Sequence, residues 1–177
     1  MSEPGPWLQG LPAQVADDCT VLVLGSMPGD ASLNEGRYYA HPRNRFWPVM
    51  ANLCGFDPAL AYPQRLSALQ CAGVGLWDVI GRCQRRGSLD ASIVAGSEVA
   101  NPLPALLARL PGVRAVAFNG ARAAQSFRRH VQAQLPEDRY AALRWLALPS
   151  TSPANAGASQ ARLLEQWQDL SPWIRHP

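Results

Sequence analysis

The chain has 177 residues, 47% of them hydrophobic and 16% charged, proportions that fit one folded domain with a sizeable core. Its formal net charge is only +3, and all 16 basic residues are arginine. The lack of lysine excludes a Schiff-base lysine and a phosphate-loop lysine. No apolar run is long enough to span a membrane, and Met1-Ser2-Glu3-Pro4-Gly5-Pro6 lacks the basic start and apolar stretch of a secretory signal. Cys19, Cys54, Cys71 and Cys83 are irregularly spaced and His41, His130 and His176 are scattered. No metal site is therefore expected, and the cysteines read as free thiols of a reducing cytosol.

Residues 1–19 form a Pro/Gly-rich lead-in over the surface. Thr20 to Gly25 is a short Val/Leu run ended by glycine, which predicts a buried strand. Ser26 to Pro48 reads as a long polar and aromatic loop, and loops of that length are usually functional. Helices are predicted over Arg45–Cys54 and Tyr62–Cys71, each with proline near its start. Gly73 to Ile80 reads as a second strand, followed by a loop carrying Arg82, Arg85 and Arg86. Asn101 as N-cap and Pro102 at the first position open a helix bearing Leu103, Leu106, Leu107 and Leu110. A third strand is predicted over Val113–Phe118, a turn at Asn119-Gly120 and a helix over Ala121–Leu135. Trp145 to Leu148 is a fourth strand, Ser150 to Ala158 a loop of small residues, and Ser159 to Leu170 the last helix. Strands alternating with helices predict an α/β fold: a three-layer α/β/α domain over 20–177 with a central, mostly parallel four-stranded sheet. In such sheets ligands bind beyond the carboxyl ends of the strands, here after Leu24, Leu76 and Leu148.

Three segments there carry chemistry. Gly25-Ser26-Met27-Pro28-Gly29 lets backbone N–H groups approach a ligand closely, or is a plain turn. Tyr38-Tyr39-Ala40-His41-Pro42-Arg43-Asn44-Arg45-Phe46-Trp47 mixes aromatics and arginines in the manner of base stacking and phosphate holding. The alternative is that Phe46 and Trp47 are core covered by the tyrosines. Leu148-Pro149-Ser150-Thr151-Ser152-Pro153-Ala154-Asn155-Ala156 is a stiff hydroxyl-rich loop, suited to phosphate oxygens or to a mere surface turn.

These segments, with Gly73-Val74-Gly75-Leu76-Trp77-Asp78-Val79, resemble in order and spacing the uracil-DNA glycosylase superfamily, from about residue 20 to 170. Within it they are most similar to the hypoxanthine-DNA glycosylase branch. The resemblance implies hydrolysis of the N-glycosidic bond of a deaminated base, most of all hypoxanthine, in flipped-out DNA. The alternatives are a mismatch-specific or single-strand uracil glycosylase, or a damaged-DNA-binding module without catalysis.

Mismatch-specific relatives carry a water-positioning Asn where this chain has Met27. In the hypoxanthine branch a different Asn, within the segment matching residues 41–44, is held to be essential. The resemblance therefore implies a catalytic role for Asn44, its amide oxygen orienting a water while its NH2 is fixed by neighbours. Leu148 stands where some relatives have a histidine. The resemblance further implies a base pocket made by Gly25, Ser26, Met27 and Pro28. Tyr39 and Phe46 would stack on the base, and Asp78 would accept N1–H of hypoxanthine, if it does not merely cap the backbone. Ser150, Thr151, Ser152, Arg43 and Arg45 are expected to hold DNA phosphates, joined by Arg82, Arg85 and Arg86. Seven arginines fall between residues 37 and 86, which suggests a positive DNA face. No large apolar residue between Ser150 and Ala158 can act as the wedge that fills the vacated stack. No cofactor and no iron–sulfur cluster are expected. The implied partner is DNA, duplex or single-stranded, bound by a monomeric, cytoplasmic protein of a bacterial-type, nucleoid-associated kind.

Overall fold

The computed structural model describes residues 3–176; Met1, Ser2 and Pro177, at the ends of the predicted lead-in and domain, lie outside them. The chain runs through β1 (Trp7–Gln9), β2 (Val21–Gly25), α1 (Asp30–Glu35), α2 (Phe46–Cys54), α3 (Tyr62–Cys71), β3 (Val74–Asp78) and β4 (Ile80–Gln84). It continues through β5 (Val99–Ala100), α4 (Leu103–Arg109), β6 (Ala115–Asn119), α5 (Ala121–His130), α6 (Glu137–Ala142), β7 (Arg144–Leu148) and α7 (Gln160–Trp167). The main sheet has four strands in the order β3-β2-β6-β7, all parallel. Alternation along each strand sends side chains to two cores. Val21, Val23, Leu76 and Leu146 pack with α2, α3 and α7 on one face. Leu22, Leu24, Val116 and Phe118 pack with α4 and α5 on the other. The predicted three-layer α/β/α architecture is therefore the observed one. Among the described residues no helix is long and apolar enough to cross a membrane.

The structure departs from the sequence reading in its details. The run from Gly73 to Ile80 is not one strand. It leaves β2 at Asp78, where the Asn101 side-chain amide donates to the Asp78 carbonyl at 2.8 Å. It then re-enters as β4 in a separate three-stranded sheet, β1-β4-β5. Val79 and Ile80 are both fully buried, so hydrophobicity alone does not register the change of sheet. The lead-in supplies β1, paired antiparallel with β4. Asn101 is not the helix cap; Pro102 occupies that position. The predicted loop over 26–48 contains α1, and the helix from Ala121 stops at His130 before a short 3-10 turn. Gly25, Asp78, Asn119 and Leu148 close the four parallel strands at the same end, with Gly25 beside Asp78 and Asn119 beside Leu148.

Candidate active site

That end of the sheet opens into a cavity of about 440 Å³, within the range of small-ligand sites. Its walls come from the turn after β2 (Gly25–Ser32), from Tyr38, Tyr39, His41 and Asn44, and from the strand ends Asp78 and Asn119. Ser88–Ala91 and Ser150–Asn155 form the rim. A second recess of about 280 Å³ shares Tyr38, Tyr39, His41 and Asn44 with it and includes Arg37, Trp47, Tyr62 and Arg65.

Asn44 sits just before α2, and its Oδ1 accepts two hydrogen bonds, both at 2.9 Å. One comes from the Phe46 backbone N–H and the other from the Thr151 hydroxyl. An N–H can only donate, so the amide orientation is fixed. Asn44 therefore offers its NH2 to the cavity, the reverse of the expected arrangement. The Thr151 hydroxyl accepts from Asn119 Nδ2, and Asn119 Oδ1 accepts from the Thr151 N–H, both at 3.0 Å. This closed ring ties the ends of β6 and β7 to the start of α2. It also occupies Thr151, which is fully buried and so does not grip a phosphate.

Asp78 is 4% exposed, and its Oδ2 has no hydrogen-bond partner in the protein. Burial pushes its carboxyl up to about 7; the nearby Asp90 adds to the shift and Arg85 opposes it. Gly25 faces it directly, and a side chain there would collide with Asp78 Oδ1. Asp90 lies in the turn after β4, where its Oδ2 accepts the Ser26 hydroxyl at 2.5 Å. Burial raises its carboxyl too, opposed by that hydrogen bond and by Arg85.

Tyr39 adopts a left-handed backbone conformation, φ 54°, a strain of about 1–2 kcal/mol for such a residue. Its ring lines the cavity and its hydroxyl is buried without a partner. Phe46 does not line the cavity. It is fully buried and stacks on Tyr39 with ring centres 3.9 Å apart, so it supports the stacking ring instead of meeting a base. Met27 and Pro28 are buried in the wall, and the Met27 side chain packs with Ile80 and Cys83. Gly25 and Ser26 line the cavity as expected.

The arginines are dispersed by the fold. Arg45 donates to the carbonyls of Ala158, Ser152 and Asn155, and so braces the 150–158 loop from inside. Arg85 is fully buried and donates to the Pro28 carbonyl at 2.5 Å. Arg82 lies over Trp7, Arg65 over Trp47 and Arg37 over Tyr62. The Arg45 guanidinium is taken up by carbonyls and that of Arg85, with Nε and Nη1 unpartnered, is buried away from any phosphate, so the expected positive face is reduced. Arg43 and Arg86 stay exposed, and Ser150 and Ser152 are half-buried at the rim. Asn119, which the sequence places in a turn, and Asp90, which the sequence does not single out, also line the cavity. Nor does the sequence single out Leu89, a 56% exposed leucine at the rim. An asparagine ending a buried parallel strand was the available signal for Asn119; Asp90 had none.

Residues 12–171 match the Uracil DNA glycosylase superfamily. A Methanosarcina acetivorans protein named hypoxanthine DNA glycosylase is 33% identical over 161 residues, 90% of this chain and 95% of that one. A Methanosarcina barkeri protein of the same name is 36% identical over 118 residues, 66% of this chain and 73% of its own. The solution NMR structure of a Methanosarcina acetivorans protein, described as a candidate uracil DNA glycosylase, superposes with a TM-score of 0.77 at 30% identity. It covers 95% of this chain and 99% of that one. These relatives are archaeal, so they lend nothing to the expected bacterial type.

Proposed function

The chain belongs to the uracil DNA glycosylase superfamily, and on that footing we propose that it releases hypoxanthine from deoxyinosine in DNA, leaving an abasic site. The observation that supports this best is the cavity beyond the strand ends, sized for one small ligand and lined by Tyr39, Asn44, Asp78 and Asn119. A base inside a duplex cannot reach such a site, so the nucleotide is flipped out first. Tyr39, held by Phe46 behind it, offers its ring to the base. The Asn44 NH2 donates to the attacking water or to the nucleotide, and the ring with Thr151 and Asn119 keeps that amide from turning. The water needs no strong base, because the sugar becomes cationic in the transition state and attracts it. With no lysine in the chain, a water nucleophile replaces any lysine Schiff base.

Ser150, Ser152 and Arg43 are the groups best disposed to hold the flanking phosphates. Leu89 is the apolar side chain at the rim that can enter the vacated stack. One chain carries the whole cavity, so a monomer acting on DNA in the cytoplasm suffices. The test is base release by the wild type and Asn44→Ala from duplexes containing deoxyinosine, deoxyuridine, deoxyxanthosine or ethenoadenine. Release of hypoxanthine that Asn44→Ala abolishes, with DNA binding retained, supports the proposal. Preferred release of uracil overturns the base assignment, and no release of any base leaves a binding module.

A further inference from the structure

Three carboxyl groups line the cavity, those of Asp30, Asp78 and Asp90, and attack of a water held by Asn44 uses none of them. Asp78 is set into the floor at the end of β3, with one oxygen unpartnered. A carboxylate buried without donors loses hydration that nothing replaces, so such a group keeps its proton. The groups facing it come from several elements. Tyr38 and Tyr39 approach from the segment before α2, Arg85 from the end of β4, and Asp90 from the turn beyond. Neither tyrosine is an anion near neutrality, because burial, the nearby Asp78 and, at Tyr38, the neighbouring tyrosines raise both phenols. Arg85 directs Nη2 to the Pro28 carbonyl and lies 3.9 Å from Asp30 Oδ1. Asp90 is pinned by the Ser26 hydroxyl, and Ser26 is the residue after Gly25, over which Asp78 lies.

We propose that Asp78 in its protonated form is the acid that meets the departing purine, and that Asp90, held on the Ser26 hydroxyl, is the charged neighbour that keeps that proton in place. The inference rests on the glycosylase reading and adds a residue role to it. The C1′–N9 bond breaks with its electron pair passing to the base, and the Asp78 proton goes to a ring nitrogen, N3 or N7, so the purine leaves neutral. Water adds its oxygen to C1′ and releases one proton to solvent. Asp78 recovers one from solvent, so one water is consumed in all. Uracil has no ring nitrogen with a free lone pair to receive that proton; the acid therefore favours a purine. The carboxyls of Asp78 and Asp90 are both elevated by burial, and Asp90 raises Asp78 further, so removing the charge of Asp90 makes Asp78 ionise at lower pH.

The experiment is single-turnover release of hypoxanthine from a deoxyinosine duplex between pH 5 and 9, for the wild type, Asp78→Asn and Asp90→Asn. The wild-type rate is expected to fall as pH rises through about 7. Asp90→Asn keeps a partner for Ser26 and is expected to move that fall to lower pH. Asp78→Asn is expected to remove the fall and to slow release by roughly a hundredfold or more. A wild-type rate that is flat across this range, or a limb that Asp90→Asn leaves in place, overturns the acid role. No hypoxanthine release by the wild type at any pH overturns the glycosylase reading itself. Asp90→Asn keeps the test decisive if Asp78→Asn does not fold.

Discussion

Thr151→Val isolates the ring that fixes Asn44. Valine keeps the shape of threonine at a fully buried position and deletes only the hydroxyl. Two hydrogen bonds go with it, to Asn44 Oδ1 at 2.9 Å and from Asn119 Nδ2 at 3.0 Å. The backbone bonds of residue 151 to Asn119 Oδ1 and Arg45 N–H remain. Each lost bond is worth about 0.5–1.5 kcal/mol, and the orphaned Asn119 amide adds to this, for a total of about 2–4 kcal/mol. That corresponds to a fall in Tm of roughly 5–15 °C in a domain of this size. Asn44 then keeps only the Phe46 N–H, which fixes its oxygen and not the plane of its NH2. Misplacing a positioning group by about 1 Å costs on the order of a hundredfold in rate. The assay pairs thermal unfolding with single-turnover base release, and Thr151→Ser, which restores the hydroxyl, is expected to recover most of the rate. A folded Thr151→Val with the wild-type rate, or Ser and Val variants equally slow, would refute the claim that the hydroxyl positions Asn44.

Leu89→Ala is expected to slow base release from duplex DNA about tenfold or more while leaving single-stranded substrate unaffected, because only the duplex has a stack to fill; equal losses on both substrates would discard the wedge role. Gly25→Ala sets a methyl against Asp78 Oδ1 and is expected to abolish base release while undamaged DNA still binds, as read by gel shift beside the rate. Asp78 carries its proton in the folded chain up to about pH 7, against 3.8 for its ordinary value. Stability is therefore greatest below pH 4 as far as this group is concerned, and falls between about pH 4 and 7 by an amount of the order of 4 kcal/mol at most. Asp78→Asn should flatten that slope in urea titrations, and an unchanged slope would place the ionisation elsewhere.

The sheet was readable because its strands are short buried runs, such as Val21–Leu24 and Ala115–Phe118, that no helix pattern fits. Asp78 was readable as a polar residue at a strand end, and Asn44 through the family resemblance of its segment. The chemistry of Asn44 was not, since its oxygen is claimed by Thr151, 107 positions away. Arg45 and Arg85 looked like phosphate ligands for the same reason: a charge in sequence carries no sign of which carbonyls will surround it. Asp90 belongs to a short 3-10 turn whose place beside Ser26 depends on β4 leaving the main sheet. That departure happens within Val79-Ile80, where the apolar pattern continues unbroken.

Most buried polar side chains elsewhere are partnered, although Arg65 Nε, Arg85 Nε and Nη1 and the Ser126 hydroxyl are not. The indole N–H groups of Trp47, Trp77, Trp145 and Trp167 all donate to backbone carbonyls, and the Tyr38 hydroxyl donates to the Pro12 carbonyl. Against that background, the unpartnered Tyr39 hydroxyl and Asp78 Oδ2 face one cavity, and the strained backbone of Tyr39 lies there too. Groups left unsatisfied at a single site lower stability, and a ligand that completes them recovers the difference on binding. Hypoxanthine brings N1–H as a donor and O6, N3 and N7 as acceptors, which a neutral carboxyl and a phenol can meet. Adenine presents an amino group where hypoxanthine has O6, so a donor aimed at that edge would be left facing another donor. Rejection of the normal base then follows from the same unpaired atoms that admit the damaged one.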